Sequence, residues 1–255
     1  MKLIKITQQD GMNMAHDKDE KMAIAYCNNG MVDELFLDSI LSSCVQLTLE
    51  NFPIVGKLTS IGNQISRQRE HVLRDWEKSE EIDWLLWVDT DIQFKTNDIK
   101  SLWDLADKDT KPIVSGVYFI SYEMQSSLPA PLPALFVDGR NDGGAVVAHP
   151  LPPNLEEMQV DSAGFGFLLM HRSVIQKLRE KCKDLSPFSE INSVSKPFLS
   201  EDMAFFKNIK ELEIPVYASL KTRLSHIKRF PLDENYYNVF WKANSAGFFE
   251  KQKNS

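Results

Sequence analysis

An apolar run rich in β-formers, Trp84-Leu85-Leu86-Trp87-Val88, climbs into two carboxylates one residue apart, Asp89 and Asp91. Side chains alternate along a strand, so a strand continuing through this segment points Asp89 and Asp91 the same way, with Thr90 opposed. Two like charges at a strand end need a counter-charge, and hard carboxylate oxygens favour a divalent cation. The plainer alternative is that one Asp caps the next helix while the other is solvated. Arg67 and Arg69 fall in the first turns of a predicted helix, where cations oppose the helix dipole. They point either to an anionic partner or to a solvated basic face. Ser200-Glu201-Asp202 suits an N-cap with a dipole-matched first turn. A late basic run gathers Lys221, Arg223, His226, Lys228 and Arg229.

The elements that must position these residues alternate strand and helix. Met22 to Tyr26 is a predicted strand closed by Cys27-Asn28-Asn29-Gly30, and a helix spans about 32–49 on Phe36, Ile40, Cys44 and Leu47. In open α/β sheets, strand, small-residue loop and helix place a ligand at the strand's carboxyl end. Leu58 to Ile61 reads as a short strand, and 64–78 as a helix burying Ile65, Val72, Leu73 and Trp76. Beyond the Asp89 segment, Asn97 or Asp98 caps a helix to about Asp107, and Ile113 to Phe119 forms a strand with Gly116 at its centre. Residues 120–157 are punctuated by proline but hold a predicted hairpin, Ala134–Val137 with Ala145–Ala148, turning through Asp138 to Gly144. Val160 to Met170 combines Gly164, Gly166 and a buried strand. A helix at 173–183 carries Val174, Leu178 and Cys182 inward, another opens at Ser200 with Met203, Phe206 and Ile209, and a strand covers 215–218. The whole reads as a single α/β domain at 22–230, a mixed sheet flanked by helices. It follows a loose lead-in at 1–21 with a short strand at Leu3 to Ile6. An aromatic-rich tail at 231–255 carries Tyr236, Tyr237, Phe240, Trp241, Phe248 and Phe249.

At 255 residues, 43% hydrophobic and 25% charged, the chain can bury a full core. A net charge of −7 argues against a broad nucleic-acid surface, which needs a basic face. Cys27, Cys44 and Cys182 are far apart, odd in number and in no metal spacing, so they read as buried thiols of a reducing compartment. The sequence has neither a run of about 18 apolar residues nor a signal pattern. A soluble, cytoplasmic protein is expected, and a peripheral membrane contact is compatible with that reading.

In this order, Cys27-Asn28-Asn29-Gly30, Ser66-Arg67-Gln68-Arg69-Glu70, Trp87-Val88-Asp89-Thr90-Asp91, Ser115-Gly116-Val117-Tyr118, Ala163-Gly164-Phe165-Gly166, Ser200-Glu201-Asp202 and His226 resemble the GT-A class of nucleotide-sugar glycosyltransferases, in its family-2-like, phage and bacterial group. The resemblance implies a GT-A (Rossmann-like) fold and a metal-dependent, inverting transfer of a sugar from a nucleoside-diphosphate donor to an acceptor hydroxyl. It implies Asp89 and Asp91 on Mn²⁺ or Mg²⁺ and the donor diphosphate, Asp91 as the direct ligand and His226 as a third ligand. Asn28 and Asn29 would receive the nucleoside, Arg69 would contact the donor, and Lys228, with Lys221 and Arg223, would hold the diphosphate or an anionic acceptor. Glu70 stands where that family carries Asn. Gly164 and Phe165 would lie beneath donor sugar and acceptor, Glu201 would bind acceptor hydroxyls, and Asp202 would be the base. The implied partners are a nucleotide-sugar donor, a UDP-sugar first, and a glycan, lipid-linked or protein acceptor, with no nucleic acid. Two other readings stay open. One is a non-catalytic, metal-dependent carbohydrate- or nucleotide-binding protein. The other is a haloacid-dehalogenase-like phosphatase, against which Gln93-Phe94 stands where that family expects Thr or Val.

Overall fold

A segment apolar on both faces must be covered on both, and Met22-Ala23-Ile24-Ala25 is such a segment. It forms the buried start of β1 (Met22–Asn28). The computed structural model describes residues 19–122, 130–138, 145–148, 150–193, 196–229, 233–234 and 236–238. After β1 comes α1 (Glu34–Leu49), capped by the Asp33 carboxylate, which accepts the Leu35 N–H at 3.0 Å. Next are β2 (Ile54–Ile61), α2 (Ile65–Lys78), β3 (Trp84–Val88), the two-residue β4 (Ile92–Gln93) and α3 (Thr96–Leu105). The proline-rich stretch contributes β5 (Ile113–Val117), β6 (Phe119–Tyr122), β7 (Ala130–Pro133), β8 (Leu135–Asp138) and β9 (Ala145–Val147). Around the glycines lie β10 (Glu157–Val160), β11 (Ser162–Ala163) and β12 (Phe167–His171), followed by α4 (Arg172–Cys182). The described chain closes with β13 (Ile191–Ser193), β14 (Lys196–Leu199), α5 (Glu201–Glu211), β15 (Val216–Arg223) and β16 (Ser225–His226).

Seven strands make one mixed sheet in the order β10-β15-β5-β12-β3-β1-β2. β1 runs parallel to β2 and β3, and β15 parallel to β5, while β12 is antiparallel to both of its neighbours. Helices cover both faces, as a single α/β domain requires. On β3, Trp84, Leu86 and Val88 pack toward α1 and α3, and Leu85 and Trp87 toward α2, α4 and α5. This period-2 split of a continuous apolar run makes β3 a central strand and carries Asp89 to the sheet's carboxyl edge.

Three predicted strands break at the edge that carries the chemistry. The 84–92 strand stops at Val88 and resumes as β4, 113–119 breaks at Tyr118, and 160–170 breaks over 164–166. At two of them the Tyr118 side chain lies against the glycine segment, its hydroxyl accepting the Gly166 N–H at 3.2 Å. A Cβ on Gly164 would lie 1.7 Å from the Tyr118 hydroxyl, and one on Gly166 2.7 Å from Cζ. Elsewhere elements are longer than expected. β2 starts at Ile54, and β15 reaches Arg223, because buried Leu220 and Thr222 alternate with exposed Lys221 and Arg223. The hairpin of β8 with β9 forms in the expected place, pairing Phe136 with Val147. At the end of the predicted lead-in, Glu20 is buried and accepts the Trp84 indole N–H at 2.9 Å, and Lys21 donates its N–H to Asp83. Cys27 is buried, Cys44 and Cys182 half-buried, and all three are free thiols. The predicted strand at Leu3 to Ile6, the turn at 139–144, and Phe230, Phe240, Trp241, Phe248 and Phe249 lie outside the described residues.

Gly164→Ala drives a methyl into the Tyr118 hydroxyl and should cost about 3 kcal/mol. Urea unfolding should show the loss as a lower midpoint with unchanged m. A midpoint equal to wild type would mean that the Tyr118 ring is not seated there.

Candidate active site

The segment Asp89-Thr90-Asp91 is a turn, held by the backbone from three sides. The Asp89 N–H donates to the Gly166 carbonyl at 3.0 Å, the Asp33 N–H to Thr90 at 3.0 Å, and the Ile227 N–H to Asp91 at 2.8 Å. The loop after β1, the glycine segment and the residues after β16 therefore converge on it. The sequence expectation of two carboxylates on one strand face is corrected here. Once the chain leaves the sheet at Val88, the two carboxylates face different partners.

Asp91 meets the late basic run. Its Oδ2 accepts from the Lys228 ammonium at 2.8 Å and lies 3.1 Å from His226 Nε2. β16 pairs with β4, placing His226 opposite Ile92 and so beside Asp91. The His226 Nδ1 is 2.7 Å from the Phe119 carbonyl, which can only accept, so Nδ1 carries a proton; Nε2 faces Asp91 and donates to it only when the ring carries both protons and is cationic. The Tyr118 ring sits edge-on to the imidazole at 5.2 Å between centroids. Burial acts to raise the Asp91 pKa, but the hydrogen bonds and charges of His226 and Lys228 outweigh it and bring it from 3.8 to about 2.

Asp89 meets Arg69 instead. Arg69 is only 4% exposed. Its guanidinium donates to Glu201 Oε1 at 2.9 Å and to Asp89 Oδ1 at 3.4 Å. It also lies over the Phe165 ring at 4.6 Å and within 5.9 Å of the Phe188 centroid, a cation–π support in a dry setting. Burial works against the Arg69 charge, but Asp89, Glu201 and Asp202 more than offset it, and its pKa rises. The anionic partner suggested by a cation early in α2 is thus the protein's own pair of carboxylates. Glu201 is pushed up by burial, with Arg69 pulling it down and Asp202 raising it further. The neighbouring Cys27 thiol is raised to about 12, chiefly by burial, and is no nucleophile.

The remaining predicted residues divide. Asn28 and Asn29 form Asx-type turns, their side chains accepting the Gly30 and Met31 N–H groups at 2.8 and 3.3 Å. Gly30, at φ 97°, takes a conformation open to glycine. Asp202 accepts from the Ser200 hydroxyl and from the Met203 N–H at 2.7 Å. The ring of Phe165, expected beneath donor sugar and acceptor, is 1% exposed and packs among Trp87, Phe188, Phe205 and Phe206. Gly164 is buried, and the space above it holds Tyr118. Lys221 pairs with Glu156 at 2.6 Å, away from Asp91. Sequence reasoning assigned no role to Tyr118, to the Phe119 carbonyl or to Gln68, whose buried amide donates to the carbonyls of Asn28 and Ser60 at 2.6 and 2.9 Å. The visible signal was an aromatic ending one predicted strand opposite a Gly-x-Gly.

Among the described residues no three His, Cys, Asp or Glu side chains converge as a ready cation cage, so Asp89 does not join Asp91 and His226. Those two still fit a divalent cation. Donors about 2.0–2.2 Å from one ion and at right angles lie about 3 Å apart, close to the observed 3.1 Å. The Nδ1–H to carbonyl bond is the outer-shell contact expected of a ligating imidazole.

No protein-family profile matches the chain, and no curated protein matches its sequence. Among solved structures it is similar to A197 from STIV, at 16% identity over 82% of this chain and 86% of that one, with a TM-score of 0.48. It is similar to GalNAc-T7 with UDP, GalNAc and Mn²⁺ at 12% identity over 84% of this chain and 45% of that one, TM-score 0.47. It is also similar to a glycosyltransferase involved in the glycosylation of the major capsid of PBCV-1, at 13% identity over 86% and 98% of the two chains, TM-score 0.40.

Two outcomes are expected. Arg69→Met leaves Glu201 and Asp89 without their counter-charge and should cost about 3–5 kcal/mol in urea unfolding; a loss near zero would make the pair dispensable. Because Asp91 titrates lower folded than unfolded, its stabilisation is full above about pH 4 and disappears as pH falls toward 2. Carboxyl NMR should find Asp91 titrating near 2, and higher in Lys228→Met; equal values in the two proteins would contradict the Lys228 contact.

Proposed function

We propose that this chain is a metal-dependent glycosyltransferase of GT-A type, moving a sugar from a nucleoside-diphosphate donor to an acceptor hydroxyl with inversion. One observation carries this reading: the Asp91 Oδ2 at the sheet's carboxyl edge is shared by His226 Nε2 and the Lys228 ammonium. That arrangement offers two cation ligands and one diphosphate ligand at a single point. Asp91 and His226 would hold Mn²⁺ or Mg²⁺, with donor oxygens completing the set, as is usual where the protein supplies few ligands. Such an ion, when bound, neutralises charge developing on the leaving diphosphate.

The other roles belong to the chain itself. Lys228 leaves Asp91 and pairs with the diphosphate. The Asn28-Asn29 turn, tied by Gln68 to the ends of β1 and β2, receives the nucleoside. Asp89 and Glu201, held by Arg69, orient donor sugar and acceptor hydroxyls. Arg69 is a positioning residue, since its guanidinium is spent on protein carboxylates. Asp202 takes the proton of the acceptor hydroxyl as the acceptor oxygen bonds to the anomeric carbon and the carbon–oxygen bond to the diphosphate breaks. Its fixed hydrogen bonds at the start of α5 make a rigid mount for that base.

Calorimetry with Mn²⁺ and a panel of nucleoside diphosphates, UDP first, tests the donor site. Metal-linked nucleotide binding that is lost in Asp91→Ala is expected; binding indifferent to both metal and Asp91 would sink the proposal. Asp202→Asn should reduce transfer about 10²–10⁴-fold with nucleotide binding intact. Retained transfer would reject Asp202 as the base, and binding without any transfer in the wild type would favour the non-catalytic reading.

A further inference from the structure

Asp89 and Asp91 are held by different partners, Arg69 for one, His226 and Lys228 for the other. A site that joins donor sugar to cation needs the two halves at a fixed spacing, and Tyr118 touches the supports of both. It falls between β5 and β6 and is 6% exposed. Its own backbone is anchored, since the Ala134 N–H donates to the Tyr118 carbonyl at 2.9 Å and the Leu224 N–H to that of Val117 at 2.8 Å. The hydroxyl reaches the Asp89 half through one glycine. The Gly166 N–H donates to the phenol oxygen at 3.2 Å, and the Gly166 carbonyl accepts the Asp89 N–H at 3.0 Å. A glycine has no Cβ to restrict the two peptides it joins, so its conformation is imposed from outside. Removing the phenol oxygen leaves the buried Gly166 N–H without this acceptor. The glycine is then free to turn toward another, at the expense of its hold on Asp89.

The ring reaches the other half. It stands at 89° to the His226 imidazole, with 5.2 Å between centroids, while the carbonyl of the next residue, Phe119, accepts the Nδ1–H at 2.7 Å. The ribbon that carries His226 pairs β16 with β4, two residues each. So short a ribbon cannot orient a side chain by backbone pairing alone. The Tyr118 ring and the Phe119 carbonyl supply the orientation, one against the face or edge of the imidazole and one at its far nitrogen. We infer that Tyr118 is the positioning residue that sets the two halves of the site against each other, its hydroxyl fixing the Asp89 turn through Gly166 and its ring fixing the imidazole beside Asp91. It acts on donor and cation only through those residues. The inference rests on the donor site proposed above.

Two substitutions in the full chain separate hydroxyl from ring. Tyr118→Phe removes only the oxygen. Amide hydrogen exchange should then quicken about 10-fold or more at Asp89, while the Leu86 amide at the centre of β3 keeps its wild-type rate. Calorimetry with Mn²⁺ and UDP should find this variant binding as wild type does. Tyr118→Leu, or Tyr118→Met should that chain not fold, removes the ring as well. Its Mn²⁺-linked UDP affinity should fall about 10-fold or more, the loss typical when the partner that orients a ligating histidine is removed. A merely structural tyrosine would quicken Asp89 and Leu86 together in Tyr118→Phe, and that result would overturn the inference. So would an unchanged Asp89 amide in Tyr118→Phe, or wild-type Mn²⁺-linked UDP binding in the variant without the ring. A wild type with no Mn²⁺-linked UDP binding would remove the donor-site reading and this inference with it, whereas the other three results overturn the inference alone.

Discussion

Arg69 is the interaction on which the rest of the site depends. A guanidinium excluded from water is tolerable only when paired, and Arg69 is paired at both ends, with Glu201 from the start of α5 and Asp89 from the end of β3. Below it the Phe165 and Phe188 rings supply a dry platform. Each of these partners comes from a different part of the chain, so one buried cation draws the β3 end, the glycine segment and α5 to one place. A single positive charge thus serves as a strut for the fold and keeps a concentration of negative charge from flying apart.

Asp91 uses a different solution. Its side chain is about as exposed as that of Asp89, but its counter-charges, Lys228 and His226, arrive on the segment that ends and follows β16. Both address the same oxygen, and Lys228 is half exposed and has a long flexible stem. An ammonium so placed keeps the carboxylate ionised, and it can be exchanged for another cation when an anionic ligand gives the lysine a new partner. His226 cannot move as freely, because its far nitrogen is tied to the Phe119 carbonyl and its ring is wedged against Tyr118. The fixed partner and the mobile one therefore have different parts to play on one oxygen.

Much of the architecture was legible in the chain because it rests on local pattern. The run Trp84 to Val88, the period-3.6 spacing of Val72, Leu73 and Trp76, and Ser200 with the acidic first turn after it each announce an element whatever surrounds it. The breaks at Tyr118 and at 164–166 were not legible. There a side chain at the end of one strand lies against the backbone of another, and no local pattern reports a neighbour 48 residues away. For the same reason Gly164 and Gly166 could be read as room for a ligand, although Tyr118 takes that room.

By itself the sequence determined which residues could do chemistry: two carboxylates after an apolar strand, an acidic pair opening a helix, one histidine in a basic run. Residue type sets charge, hydrogen-bonding capacity and local conformation without reference to the fold. Only the tertiary structure decided how those groups divide, with Asp89 and Glu201 on Arg69, Asp91 with His226 and Lys228, and Phe165 turned into the core. That division depends on which loop tips meet at the sheet's carboxyl edge, and on where β3 stops. Both are set by burial and backbone pairing between segments far apart in the chain, and no spacing along the chain encodes them.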